Sequence, residues 1–202
     1  MTPSAPTPPR DHTDPERRTW LLAASAAGGV AVAATAVPFV ASLAPSERAK
    51  AQGAAVEVDI GHLQPGQMMT VEWRGKPVWI MRRTPQMVTA LQQPSPDLAD
   101  PHSEREQQPA DARNATRSVR PDVFVAIGIC THLGCSPTHI PAGSHPSVPA
   151  DWAGGFFCPC HGSTFDAAGR VFKNKPAPTN LEIPPHRYVS DTRLLIGEDG
   201  AG

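Results

Sequence analysis

All four cysteines of this 202-residue chain, Cys130, Cys135, Cys158 and Cys160, fall within a 31-residue window that opens on C-T-H-L-G-C and closes inside C-P-C-H-G-S. Cysteines placed only for packing scatter through a core, so this grouping marks a site, and the fold must bring two loops together to build it. Each motif supplies one Cys-His pair: Cys130 with His132, and Cys158 with His161. Each pair follows a run that reads as a strand, V-F-V-A-I-G-I at 123–129 and G-F-F-C at 155–158, so each motif lies in a loop at a strand end. Two thiolates and two imidazoles can hold metal in several ways. On ligand count alone a tetrahedral zinc site is favoured, although zinc sites usually use C-x-x-C or H-x-x-x-H spacing and the first pair here is C-x-H, with two cysteines left over.

The N-terminal part has a different character. Residues 1–16 are polar and Pro-rich, a disordered tail by composition. E-R-R-T-W-L-L at 16–22 places Arg17 and Arg18 directly before an apolar run, which looks like a twin-arginine export signal. Trp20 to Leu43 is 24 residues without a charge; as a helix it would measure about 36 Å, enough to cross a ~30 Å hydrocarbon core. An uncleaved anchor is expected over 20–43, preceded by a cytoplasmic tail with the export signal at 1–19 and followed by a hinge at 44–55 that has no bulky apolar residue. Arg10, Arg17 and Arg18 before the span, against Arg48 and Lys50 after it, tilt the N-terminus slightly to the inside.

From Val56 onward the pattern is that of β structure. V-E-V-D-I alternates apolar and polar residues, and M-M-T-V-E-W (68–73) and V-W-I-M (78–81) flank R-G-K-P as a hairpin. Residues 92–121 carry Pro, Gln, Asp and Arg without strand periodicity, a polar insertion with room for one short helix. R-V-F (170–172) and R-L-L-I (193–196) are expected to complete a meander. Trp73 and Trp79 read as core or sheet-face residues, and His12, His62, His102, His139, His145 and His186 show no ligand spacing. The net charge of −1 argues against nucleic acid as a partner.

The two cysteine motifs together resemble those of the Rieske iron-sulfur proteins, specifically the membrane-anchored subunit of the cytochrome bc complex, and the likeness extends from about Arg17 to Gly197. The resemblance implies an all-β fold: antiparallel sheets with a cluster-binding subdomain at about 128–180 inside a domain spanning 56–202, preceded by one transmembrane helix. It implies one 2Fe-2S cluster, with Cys130 and Cys158 on the inner iron and His132 and His161 on the outer one, a ligation pattern general to Rieske centres. It also implies a Cys135–Cys160 disulfide joining the two loops. Two ferric ions, two sulfides and two thiolates sum to zero charge, so this cluster accepts an electron more readily than a four-thiolate one. Leu133 would be an exposed docking tip beside His132. Ser163 matches the position whose hydroxyl bonds a bridging sulfide, and P-A-P at 176–178 matches the loop covering the cluster from a third side. Phe165 departs from the pattern: many high-potential members carry Tyr there, whose hydroxyl bonds a ligand cysteine.

The function so implied is electron transfer from quinol to a c-type cytochrome, as the redox subunit of quinol–cytochrome c reductase. Cytochrome b and a c-type cytochrome would be the partners in a dimeric assembly. The protein would lie in a bacterial inner membrane with its soluble domain in the periplasm. A disulfide needs an oxidising compartment, and a cluster loaded inside the cell must then cross the membrane folded, which twin-arginine export does. A ligand imidazole becomes more basic when the cluster is reduced, so His161 would accept the quinol proton as the electron is taken up. Two other Rieske classes fit less well. Ring-hydroxylating oxygenases normally lack the disulfide cysteines and an anchor, and the small subunit of arsenite oxidase needs neither a quinol-docking tip nor a long hinge.

Overall fold

The structure is a computed structural model in which residues 15–46, 53–93, 95–144 and 152–198 are described. The tail lies outside these residues up to position 14, as does the expected hinge over 47–52. The chain divides into two compact units, Met1–Ala49 and Lys50–Gly202.

Among the described residues the first unit holds one helix, α1, over Pro15–Ser42. Its 28 residues give a length of about 42 Å. It contains an 18-residue window of mean hydropathy 1.7, and none of that window is buried within the protein. By length and composition the helix could cross a membrane, where a helix satisfies its own backbone. Helical structure begins ahead of the uncharged run, so Arg17 and Arg18 lie in the first turns.

The second unit contains, among the described residues, nine strands and one short α-helix: β1 Val56–Asp59, β2 Met68–Trp73, β3 Lys76–Arg82, α2 Pro85–Leu91, β4 Val123–Ile127, β5 Thr138–Ile140, β6 Gly155–Cys158, β7 Ser163–Asp166, β8 His186–Tyr188 and β9 Arg193–Ile196. They form three antiparallel sheets with orders β1-β9-β8, β2-β3-β4 and β5-β6-β7. The β2–β3 hairpin turns on Arg74 and Gly75, at φ 53° and 71°. Positive φ at both central residues matches the right-handed twist of the strands, and glycine at the second makes it cheap. Helix α2 starts with a Thr84 cap whose hydroxyl accepts from the Met87 N–H, followed by Pro85, which has no N–H to leave unpaired.

The middle sheet decides how the unit is built. Every residue of β4 is buried, because both faces of β2-β3-β4 are covered. Val78, Ile80, Val123, Val125 and Ile127 point to one side and pack with Val58, Ile60, Leu194 and Ile196 of the outer sheet. Trp79, Met81, Phe124 and Ala126 point to the other, against Phe156, Phe165, Cys130 and Cys158. The period-2 alternation of a strand sends alternate residues of one segment into two separate cores. Trp79 stacks on Phe156 with ring centroids 5.0 Å apart, and the backbone of Gly128 lies so close to the Trp79 ring that a Cβ there would meet it at 2.4 Å.

The expected terminal meander is not formed. β9 pairs with β1 at the far end of the unit, Val56 opposite Ile196, and with β8. Val171 and Phe172 form only isolated bridges, to Phe165 and Leu98. Pro176, Pro178, Pro184 and Pro185 between them offer no N–H for a ladder, so the chain leaves the sheet here and crosses to another.

Candidate metal centre

The two cysteine motifs fold alike. In the first loop the Gly134 N–H donates to the Cys130 carbonyl at 3.1 Å; in the second the Gly162 N–H donates to the Cys158 carbonyl at 2.9 Å. Both glycines have positive φ, 84° and 76°, a conformation that closes each loop over its own cysteine and that a side chain would resist. Each loop is anchored to a strand: Cys158 ends β6, and Ser163, which opens β7, is its cross-strand partner.

Cys135 and Cys160 are joined in a disulfide across 25 residues, and Cys130 and Cys158 are free, buried thiols. The sulfurs of Cys135, Cys158 and Cys160 lie within 4.8 Å of one another, but the two in the disulfide have no thiolate to offer a metal. The donor set therefore reduces to Cys130, Cys158, His132 and His161. The His132 and His161 rings meet edge to face, centroids 4.7 Å apart. His132 Nδ1 is buried with no hydrogen-bond partner, and a buried ring nitrogen left this way is what a metal ion would satisfy. Burial raises the Cys130 thiol above its ordinary pKa, and the neighbouring Cys158 adds to this; the His132 N–H and the Ser163 hydroxyl act in the opposite direction. A nearby metal charge would favour the Cys130 thiolate against this burial. The residues fit a group bound by two inner sulfurs and two outer nitrogens. Beside them Leu133 stands 71% exposed, a large apolar side chain turned mostly to solvent.

The third side is the Pro-rich segment 176–181. The Ala177 N–H donates to the Ser163 hydroxyl at 3.0 Å, and the Thr131 hydroxyl donates to the Thr179 carbonyl at 2.7 Å. Both loops are thus tied to it. Asn180, 1% exposed, accepts from the Val171 N–H and donates to the Asp100 carbonyl. The polar stretch at 92–121 proves to be part of this framework. Arg105 donates to the Pro178 carbonyl and Gln107 to that of Asn180, while the Gln107 carbonyl accepts from Ile183. Sequence reasoning missed Thr131, Asn180, Arg105 and Gln107 because their partners are backbone carbonyls, which leave no residue pattern. Phe165 is fully buried in the apolar core that holds both free cysteines.

Comparison with known proteins gives concordant matches. The Rieske 2Fe-2S domain matches residues 105–185, and the TAT signal of the ubiquinol–cytochrome c reductase Fe-S subunit matches residues 7–46. The chain is 57% identical over 183 residues to the ubiquinol–cytochrome c reductase iron-sulfur subunit of Allochromatium vinosum, covering 91% of this chain and 88% of that one. It is 42% identical to the protein of the same description from Blastochloris viridis, covering 93% and 96%. Among solved structures, a chain of a hyperthermophilic respiratory complex III aligns at 27% identity and a TM-score of 0.45, covering 88% of this chain and 98% of that one.

Proposed function

The chain belongs to the iron-sulfur subunits of ubiquinol–cytochrome c reductase, and from that premise we propose that Cys130, Cys158, His132 and His161 are the ligands of its Rieske 2Fe-2S cluster. The role is electron transfer within an oxidoreductase complex. The observation that carries the ligand assignment is the pair of free buried thiols beside two adjoining imidazoles, one with an orphaned buried nitrogen. When bound, the cluster takes up one electron and gains one negative charge.

The protein's own residues then act as follows. His161, exposed at the tip, offers a ring nitrogen to the quinol hydroxyl and accepts its proton, which the added negative charge behind it favours. Leu133 gives the tip an apolar surface that seats in the quinol site and excludes water from the proton transfer. The Ser163 hydroxyl, bonded at the Cys130 sulfur, draws density from that ligand. Helix α1 anchors the unit in the bacterial inner membrane, with the soluble domain at 56–202 on the periplasmic side. Cytochrome b and a c-type cytochrome in a dimeric complex complete the path.

The test is the electron paramagnetic resonance spectrum of the reduced protein. Cys158→Ala is expected to abolish the Rieske signal, and a normal signal in that variant ends the assignment. Replacing Arg17 and Arg18 with Lys should leave the protein inside the cell; unchanged export of the cluster-loaded protein would contradict the twin-arginine route.

A further inference from the structure

Beneath the metal centre lies a group of buried charges that the ligand set does not account for. Arg83, Arg117 and Arg170 are 2%, 0% and 1% exposed. They converge on the turn that follows β7: Arg83 donates to the Ala167 carbonyl, Arg117 to those of Ala168 and Leu181, and Arg170 to the Asp166 carboxylate at 2.7 Å. Asp166 is the carboxylate set among all three. Asp100 also acts on Arg117, less strongly than Asp166 does; like Asp166 it is partly buried, and its oxygens accept the N–H groups of Glu104 and Arg105. The remaining partners are neutral carbonyls and hydroxyls, and Arg117 Nε is buried with no acceptor. Three guanidinium charges thus face Asp166, whose side chain is 13% exposed, and the weaker Asp100, leaving a net positive charge inside the protein. Burial lowers the pKa of Arg83 to about 9 and that of Arg117 to about 10, which leaves both charged at neutral pH.

The position of this charge gives it a reach. Asp166 ends the strand that Ser163 begins, so it lies about 10 Å along β7 from the Ser163 backbone. The ground between is apolar: Phe124, Phe156 and Phe165 are each fully buried and belong to the same packed core as Cys130 and Cys158. The Arg83 guanidinium sits over the Phe124 ring, 4.7 Å from its centroid. The packed side chains between put apolar material in place of solvent, so the field toward the centre acts at an effective dielectric below that of water, while on the other side Asp166 and Arg170 line a cavity.

We propose that the buried cluster Arg83–Arg117–Arg170 raises the reduction potential of the metal centre, with Asp166 setting how much of its charge is left uncompensated. Reduction adds one negative charge to the site, and a fixed positive charge behind a packed core stabilises the reduced form more than the oxidised one. The inference rests on the ligand assignment above. The guanidinium bonds to backbone carbonyls also pin the turn, and that structural role predicts a different result.

The experiment is redox titration of the full-length protein in detergent, followed by the visible spectrum of its cluster. Arg83→Gln is expected to lower the midpoint, and Asp166→Asn, which keeps an oxygen for the N–H groups of Ala168 and Arg170, is expected to raise it. Each shift should correspond to a several-fold, at most about tenfold, change in the equilibrium constant for electron exchange with a fixed partner, or up to about 59 mV for a one-electron couple. If the arginines only pin the turn, both variants loosen the same lobe and both midpoints move the same way or not at all; either result overturns the proposal. Should Arg83→Gln fail to load its cluster, Arg117→Gln reads the same sign, and Asp166→Asn tests the opposite one alone. The ligand assignment fails separately, at Cys158→Ala, whatever these midpoints do.

Discussion

The outer half of the second unit and its metal-centre lobe are stabilised by different means. The outer half pairs β1-β9-β8 with one face of β2-β3-β4 around Val58, Ile60, Val78, Ile80, Val125, Leu194 and Ile196, an aliphatic core in which many interchangeable contacts share the energy. The lobe has strands of three or four residues and, besides its aromatic core, carries single directional links around the donor atoms: the disulfide, Thr131 to Thr179, Ala177 to Ser163, and Asn180 to Val171. Diffuse burial suffices to hold a platform. Aiming four donor atoms at one point requires bonds with direction, and each such bond is a single point of failure.

The largest way to break this contrast is Cys135→Ala. Opening a bridge that spans 25 residues should cost roughly 3 kcal/mol. On heating, the cluster's absorption should be lost well before the far-ultraviolet circular dichroism of the sheets. Coincident loss of both signals would mean that the two regions unfold as one.

Ile80→Val, in the aliphatic core at 0% exposure, should cost about 1 kcal/mol. It should lower the unfolding temperature of the sheets and leave the midpoint potential unchanged. A shifted potential would show that the outer core also tunes the centre.

Phe165→Tyr sharpens the comparison within the lobe. A hydroxyl bonded to a charged acceptor contributes about 1.5–3 kcal/mol, and only its difference between redox states moves the potential. A rise of some tens of millivolts is expected, with about 1.4 kcal/mol equivalent to 59 mV. Ser163→Ala should lower the potential by a similar or larger step. An unchanged or lower midpoint in Phe165→Tyr would show that the position only packs.

The smallest effect is on acid stability. Burial lowers the pKa of His139 in the lobe and of His186 in the outer half below 6.5. The unfolded chain therefore binds more protons than the folded one as pH falls through 6.5, and stability declines from there down to each folded value. His139→Gln should flatten this decline in the cluster signal, and His186→Gln in the dichroism of the sheets. Equal flattening of both signals by either variant would argue against two separable regions.

Much of this protein is legible in local strings. The two Cys-His pairs name the donor chemistry, the uncharged run announces α1, and the alternation around Val56, Met68 and Val78 marks the strands that form. Each of these signals lies within a few residues of chain, where side-chain type and period dictate the outcome. The polar stretch at 92–121 shows the limit. It has no period, and its work is done by Arg105, Gln107 and Arg117 through bonds to carbonyls 51 to 73 residues away.

By itself, then, the sequence determined which atoms could bind metal, that the folded unit is built of strands, and that a separate apolar helix precedes it. Tertiary structure decided that β9 returns to β1 instead of closing a meander, that one sheet serves two cores, and that three buried arginines gather around one partly buried carboxylate. Those outcomes depend on which distant segments meet. Val56 and Ile196 pair because the faces they carry complete one another's burial, and no stretch of sequence near either residue contains that information.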